Sequence, residues 1–129
     1  MFDKIPDRVE FLSNRAINAA IKVHKELGPG LLESVYETCL FYELQKMELE
    51  VEKQVNIPIF YDGVTLDAEL RLDIWVERSL ILEIKAVEAF HPVHHAQLMT
   101  YLKLTKNRLG LLVNFNVPLL KNGIKRVAL

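Results

Sequence analysis

Three ionisable side chains lie within two apolar segments near the middle of the chain: Asp73, Glu83 and Lys85. The segments, residues 72–76 and 80–85, have the composition of strands that are buried on both faces. A buried charge is costly unless it is paired, hydrogen-bonded or bound to a metal ion. The three charges therefore predict a chemical site on these two strands.

The connection between the two segments decides whether the charged side chains meet. Side chains alternate between the faces of a strand, so Glu83 and Lys85 share one face. A three-residue connection, 77–79, brings Asp73 to that face, whereas a two-residue turn at 78–79 places it opposite Ile84. The three-residue connection is favoured because it aligns the apolar residues of the two segments. The aligned pairs are Leu72 with Ile84, Ile74 with Leu82 and Val76 with Leu80.

Composition and charge bound the function classes. Half of the 129 residues are apolar and 26% are charged, which predicts one globular domain over residues 1–129. A net charge of -1 and a pI near 6.4 argue against a protein that coats nucleic acid through a strongly basic surface. The net charge and pI do not exclude an enzyme whose acidic pocket is neutralised by divalent cations and is surrounded by a local basic rim. Two groups could supply that rim: Lys103, Lys106 and Arg108, or Lys121, Lys125 and Arg126.

The sequence also predicts a compartment. The single cysteine, Cys39, lies in an apolar helical pattern, which indicates a packed thiol in a reducing environment. The first residues lack the cationic start and apolar run of a signal peptide, and we expect no membrane-spanning segment. We therefore expect a cytoplasmic location.

Hydrophobic periodicity predicts two helices at the start of the chain. Helical spacing of apolar residues extends over 7–27 and again over 32–48, and the turn at 28–30 (Gly-Pro-Gly) separates the two. Asp7 and Glu10 have the spacing of a capping box, which predicts a side-chain cap at the first helix.

The period changes after residue 50, where alternation predicts strands. Asp62-Gly63 is typical of a hairpin turn, and His91-Pro92 marks the start of a third helix. The order ααβββαββ predicts a mixed β-sheet flanked by helices, an α/β (α+β) class. The predicted strands are 51–61, 64–76, 80–87, 109–115 and 123–129, and the predicted third helix is 93–104.

The acidic pair has the composition of a metal site. Phosphodiester hydrolysis needs an activated water and stabilisation of the charge that develops on the phosphate, and a divalent metal ion supplies both. Mg²⁺ prefers a few carboxylates, carbonyls and retained waters, so Asp73 and Glu83 could hold it with the backbone carbonyl of Ile84. Lys85 would then orient or help deprotonate the attacking water.

These residues resemble a known superfamily. The spacing from Asp73 to residues 83–85 (Glu-Ile-Lys) is similar to that of the PD-(D/E)xK nucleases, although Leu72 stands where that name has proline. Residues 30–36, from Gly30 through Glu33 to Tyr36, resemble the signature of the small GxxExxY family of that superfamily. Residues 97–101 resemble the QxxxY element of exonuclease-like branches.

The resemblance implies a restriction-endonuclease-like fold and a nuclease that uses Mg²⁺ or Mn²⁺ to hydrolyse nucleic-acid phosphodiester bonds, with DNA favoured over RNA. It implies that Glu33 contacts the metal directly or through water. It also implies that Gln97 supports the site or the substrate, and that Tyr101 packs behind the site or contacts the nucleic acid.

Several alternatives stay open. Lys85 and a carboxylate would also form a plain buried ion pair. A nuclease-like fold can serve as a catalytically inactive module that binds nucleic acid or protein, or as a subunit whose homodimer or protein partner completes the site. His91 and His94 could bring two imidazoles together for Zn²⁺, but no third ligand is apparent nearby, so helix-start histidines are favoured.

Overall fold

The computed structural model describes residues 4–129, apart from the side chains of residues 67–69. Within this part of the chain no helix is long and apolar enough to cross a bilayer. The predicted order of elements is confirmed, with one short 3₁₀ helix added before the last strand. The elements are α1 (Asp7–Leu27), α2 (Glu33–Lys46), β1 (Val51–Tyr61), β2 (Val64–Val76), β3 (Leu80–Lys85), α3 (Pro92–Thr105), β4 (Leu109–Asn114), the 3₁₀ helix (Leu120–Gly123) and β5 (Ile124–Ala128).

The five strands form one mixed sheet in the order β1-β2-β3-β4-β5. Three neighbouring pairs are antiparallel, and β3 and β4 are parallel. A parallel pair needs a crossover connection, and α3 provides it. This mixed sheet with helices on its faces confirms the restriction-endonuclease-like fold expected from the sequence.

Two apolar clusters lie on opposite faces of the sheet. The larger one joins α1 and α2 to the face that contains Ile74, Leu82 and Val113. The smaller one lies under α3 and includes Trp75 and Ile81. The strands at the centre of the sheet are therefore buried on both sides, which explains their continuous apolar sequence.

The predicted side-chain cap of α1 is wrong. Pro6 is the N-cap, its carbonyl accepts the backbone N–H groups of Val9 and Glu10, and α1 has no side-chain cap among the described residues. Asp7 is instead the first residue of the helix, since the fixed φ of the preceding proline already suits helix entry. Glu10 forms an ion pair with Arg126 of β5.

The three-residue connection between β2 and β3 is confirmed. Ile74 pairs with Leu82 and Val76 with Leu80, as the apolar pattern predicted. Glu77 and Arg78 both have positive φ, 49° and 50°, and the Ser79 N–H donates to the Val76 carbonyl to close the turn.

Leu72 differs from the prediction that it would align with Ile84. It packs under α3, in the cluster that contains Trp75, while Ile74 packs against the helices on the other face. Strand β1 changes in the same way, because Val51 packs on the α1–α2 face and Ile57 under α3. Both strands of the hairpin thus exchange faces along their length.

The exchange occurs at Gln54 and Asp73. The pairs on either side, Lys53 with Ile74 and Val55 with Leu72, keep one register. Gln54 between them has a φ of 53°, a left-handed backbone that disrupts regular alternation. Asp73 therefore lies where the hairpin twists, close to both faces of the sheet.

Candidate active site

At Asp73 and Glu83, hydrogen bonds from backbone N–H groups to side-chain carboxylates replace the regular backbone pairing of β2 and β3. The last regular pair is Ile74 with Leu82. Beyond it, the Asp73 N–H donates to Glu83 Oε2 at 2.9 Å, and the Ile84 N–H donates to Asp73 Oδ2 at 2.8 Å. Each carboxylate thus spans the gap and binds the backbone of the opposite strand, which brings the two predicted metal ligands together.

The backbone of Ile84 faces the same gap. In a strand, the N–H and C=O of one residue point toward the same neighbouring strand. The Ile84 N–H points to Asp73, and the carbonyl of the next residue, Lys85, points the other way and accepts from Phe115 N–H at 2.9 Å. The Ile84 carbonyl therefore points into the gap beside the two carboxylates.

Burial favours the protonated form of both acids. Glu83 is 3% exposed, and desolvation, followed by the neighbouring Asp73 charge, raises the pKa of Glu83 to about 8. Burial also raises the pKa of Asp73, against the opposing effects of the Ile84 N–H, the Lys85 ammonium and a Gln54 hydrogen bond. A cation in the gap would place positive charge beside the two carboxylates and favour their ionised form.

Lys85 and Tyr101 border the acidic pair on the α3 side. Lys85 is half-buried at the end of β3, and its charge acts on both Asp73 and Glu83. Tyr101 is buried on α3, forms a hydrogen bond with the backbone of Arg71, and has its pKa raised by burial and by the two nearby carboxylates. The hydroxyl of Tyr101 thus lies behind the site.

On the other side, the start of α2 forms the wall of a cavity of about 220 Å³. Glu33 is exposed at the first position of α2 and lines this cavity together with Asp73 and Ile84. The predicted residue Glu33 is thus brought to the pair. The cavity is also lined by three residues that were not predicted: Ser34, Glu37 and Gln54.

Gln54 links α2 to the acidic pair. Its side-chain amide donates to Glu37 Oε1 at 2.5 Å, and a further hydrogen bond connects it to Asp73. Burial raises the pKa of Glu37, and the charges of Asp73 and Glu33 add to this effect. Glu37 has a sequence signal, since it lies four residues after Glu33 and so on the same helix face. Gln54 has none, because its backbone is irregular.

Tyr36 explains why α2 begins where it does. Its hydroxyl donates to the Gly28 carbonyl at 2.6 Å and accepts the Leu31 N–H at 3.1 Å. Its ring stacks on Phe115 with 4.4 Å between centroids. Gly30 has a φ of 96°, a backbone conformation that residues other than glycine rarely adopt. The glycine and the tyrosine of the motif together fix the turn that presents Glu33.

Gln97 and the histidines at the start of α3 are not among the described residues that line the cavity. Gln97 is exposed on α3. His91 and His94 cap α3: Val93 N–H donates to His91 Nδ1 at 3.1 Å, and His91 N–H donates to His94 Nδ1 at 3.0 Å. This agrees with helix-start histidines.

The residues present fit a magnesium-type site better than a zinc-type one. Within the described part of the chain, no three or more His, Cys, Asp or Glu side chains are grouped so that they could hold a metal ion. Zinc sites generally need three or four such ligands. Mg²⁺ needs only one or two carboxylates because it retains several waters, and the gap offers two carboxylates and a carbonyl.

A family model for the PD-(D/E)XK nuclease superfamily matches residues 10–127. The chain belongs to this superfamily. No curated protein and no solved structure shows a significant match. The matched range includes β2 and β3, which border the gap, and the helices α2 and α3. Membership supports a nuclease-type function in general. PD-(D/E)XK nucleases typically use divalent metal ions, which agrees with the fit of the gap.

Tyr36→Phe tests how this nuclease-superfamily protein holds α2. The substitution keeps the ring stack but leaves the Gly28 carbonyl and the Leu31 N–H without their partner. We expect a loss of about 1–3 kcal/mol in the free energy of unfolding, measured by urea denaturation. Tyr42→Phe, on an exposed position of the same helix, should change it by less than about 0.5 kcal/mol. Equal stabilities of the two variants would contradict the account of the turn.

Glu83→Gln tests the burial of the acid. The folded pKa of Glu83 lies above its ordinary value of 4.5, so its protonation stabilises the metal-free protein fully below pH 4.5. This stabilisation is lost as the pH rises toward about 8. The unfolding free energy of wild type should therefore fall by a few kcal/mol more than that of Glu83→Gln over this range, on the order of 1.4 kcal/mol per pH unit at most. Urea denaturation in chelator across this range measures the difference.

The matched control for this measurement is Glu88→Gln, at an exposed glutamate close by on the chain. It should follow the wild-type pH dependence. A Glu83→Gln protein with the same pH dependence as wild type would show that Glu83 does not hold its proton more tightly in the folded state.

Proposed function

We propose that this protein is a metal-dependent nuclease that hydrolyses phosphodiester bonds in nucleic acid, with DNA as the first substrate to test. The observation that carries the proposal is the reciprocal hydrogen bonding of Asp73 and Glu83 across the gap between β2 and β3. Membership of the PD-(D/E)XK nuclease superfamily supports the same reaction class.

In this proposal Asp73, Glu83 and the Ile84 carbonyl hold one Mg²⁺ or Mn²⁺. The bound ion would act as a Lewis acid on the phosphate and lower the pKa of a bound water. The carboxylates are oriented before any ion binds, because each already has one oxygen fixed by a backbone N–H. Such preorganisation reduces the rearrangement needed at the moment of reaction.

Lys85 orients the attacking water in this proposal. Its side chain lies on the α3 side of β3, where its charge acts on both acids. An ammonium group has three donors and can hold a water while also stabilising negative charge on a phosphate oxygen. Tyr101, behind the acids, packs and hydrogen-bonds to the β2 backbone, and we propose that it keeps β2 in place.

Glu33 and Glu37 hold the outer side of the cavity. We propose that Glu33 binds a water of the metal, since it is exposed and lines the same cavity as Asp73. Glu37 reaches Asp73 through Gln54, which makes it a positioning residue. Gln97 would act on the substrate, because it is exposed on the helix that carries Tyr101.

The finer assignments are proposals of the same kind. Gly30, Glu33 and Tyr36 support placing the chain in the GxxExxY family, because the structure gives each of them a part in presenting one carboxylate. We further propose that residues 1–129 form one nuclease-like domain located in the cytoplasm. A homodimer or another protein partner stays a prediction.

Cleavage of labelled single-stranded and duplex DNA and RNA oligonucleotides tests the function. With Mg²⁺ or Mn²⁺ we expect cleavage that chelator abolishes. Asp73→Asn, Glu83→Gln and Lys85→Ala should each lower the rate at least about 100-fold, because each removes a group that acts on the metal or the water. Gel analysis of initial rates measures this.

Matched controls make the same chemical changes away from the gap. Asp62→Asn in the β1–β2 turn, Glu88→Gln and Lys121→Ala should keep the wild-type rate. If the three site variants cleave as fast as these controls, the assigned roles are wrong. If wild type binds the oligonucleotides but cleaves none of them with Mg²⁺ or Mn²⁺, the protein is instead a catalytically inactive module that binds nucleic acid.

A further inference from the structure

A second cavity lies beside the acidic pair, on the α3 face of the sheet. Its volume is about 360 Å³, which is within the range of about 300–1,000 Å³ typical of small-ligand pockets. We call it the α3 pocket. It is lined by Phe90, His91, Pro92, His95, Leu112 and Lys125.

The register of the sheet connects this pocket to the acidic pair. Glu83 of β3 pairs with Leu112 of β4, and Leu112 pairs with Lys125 of β5. Paired residues project from the same face, so these three side chains form a row across the sheet. Neighbouring strands lie about 4.8 Å apart, which puts the Cα atom of Lys125 about 10 Å from the Cα atom of Glu83.

The chemistry of the pocket suits a nucleotide. Of the described residues that line it, none is acidic, whereas the chain as a whole has a net charge of -1. Lys125 is an exposed ammonium on one wall, and His95 adds an imidazole from the first turns of α3. Phe90 and Pro92 add apolar groups to the same lining. Cationic donors beside an aromatic ring are the usual combination for binding phosphate and base together.

Lys125 is directed to this pocket by its strand. Its neighbour Arg126 points to the other face, where it pairs with Glu10 of α1. Lys121, in the 3₁₀ helix, belongs to an element that packs against α1. The basic segment 121–126 therefore divides between the two faces, and Lys125 is the member that lines the α3 pocket.

We propose that the α3 pocket binds one nucleotide of the substrate strand close to the bond that is cut, with Lys125 and His95 on a phosphate and Phe90 against a base. The inference rests on the proposed function, because it takes the acidic pair as the place of cleavage. It adds a binding site that would hold the strand in position relative to that place.

Binding measurements without cleavage test the pocket by itself. A short fluorescein-labelled single-stranded DNA oligonucleotide is titrated with wild type and with Lys125→Glu in chelator, and its anisotropy is followed at several salt concentrations. Lys125→Glu should weaken binding at least about 10-fold and lower the salt dependence by about one counterion. Lys121→Glu, the same change on the opposite face, should weaken it less than about threefold.

Phe90→Leu separates stacking from charge. It keeps an apolar side chain in the partly buried position but removes the aromatic ring. Binding should weaken about fivefold or more while the salt dependence stays that of wild type, because base stacking involves no counterion release. A thermal melt of each variant checks that the fold is retained.

Three results would overturn the proposal. Lys125→Glu and Lys121→Glu could bind the oligonucleotide equally well, or wild type could fail to bind it. Alternatively, deoxyadenosine monophosphate alone could depend on Lys125 while the oligonucleotide does not, which would make the pocket a free-nucleotide site. Cleavage is measured separately. If wild type cleaves DNA but Lys125→Glu binds the oligonucleotide as well as wild type does, only the pocket is rejected. A wild type that binds through Lys125 without cutting rejects only the nuclease activity.

Discussion

Asp73 and Glu83 each accept a hydrogen bond from the backbone of the strand opposite, and this exchange takes over where the ladder between β2 and β3 ends. Two buried carboxylates close together repel each other when both are ionised, and the pKa of Glu83, raised to about 8, reflects burial with that repulsion added. The arrangement is consistent with a fold that tolerates an electrostatic cost until a cation joins the pair.

The other elements are arranged around this gap. The Gln54–Asp73 twist places one acid near both faces of the sheet, so α2 can reach it through Glu37 and Gln54 while α3 places Tyr101 behind it. The parallel pairing of β3 and β4 carries the row from Glu83 out to Lys125. Glu33 and Glu37 thus lie on the α2 side of the gap, whereas Lys125 lies on the α3 side, in the same row as Glu83. This arrangement suits a metal ion in the gap and a phosphate chain on the α3 side.

Much of this could be predicted from the sequence, because apolar periodicity reports burial and register. The pairing of Ile74 with Leu82 followed from matching apolar residues, and it brought Asp73 to Glu83. Leu72 was misplaced because strict alternation assumes a regular strand, and the left-handed backbone of Gln54 is not visible in the pattern. Glu37 could have been found from its spacing to Glu33. The α3 pocket could not, since it joins strands and a helix that are distant along the chain.

We propose that the gap between β2 and β3 holds a divalent cation, and crystals soaked in Mn²⁺ and measured at the manganese absorption edge test this proposal. We expect an anomalous peak between the carboxylates of Asp73 and Glu83, next to the Ile84 carbonyl, that is lost in the double variant Asp73→Asn, Glu83→Gln. A peak only at His91 and His94, or the same peak in the double variant, would contradict it.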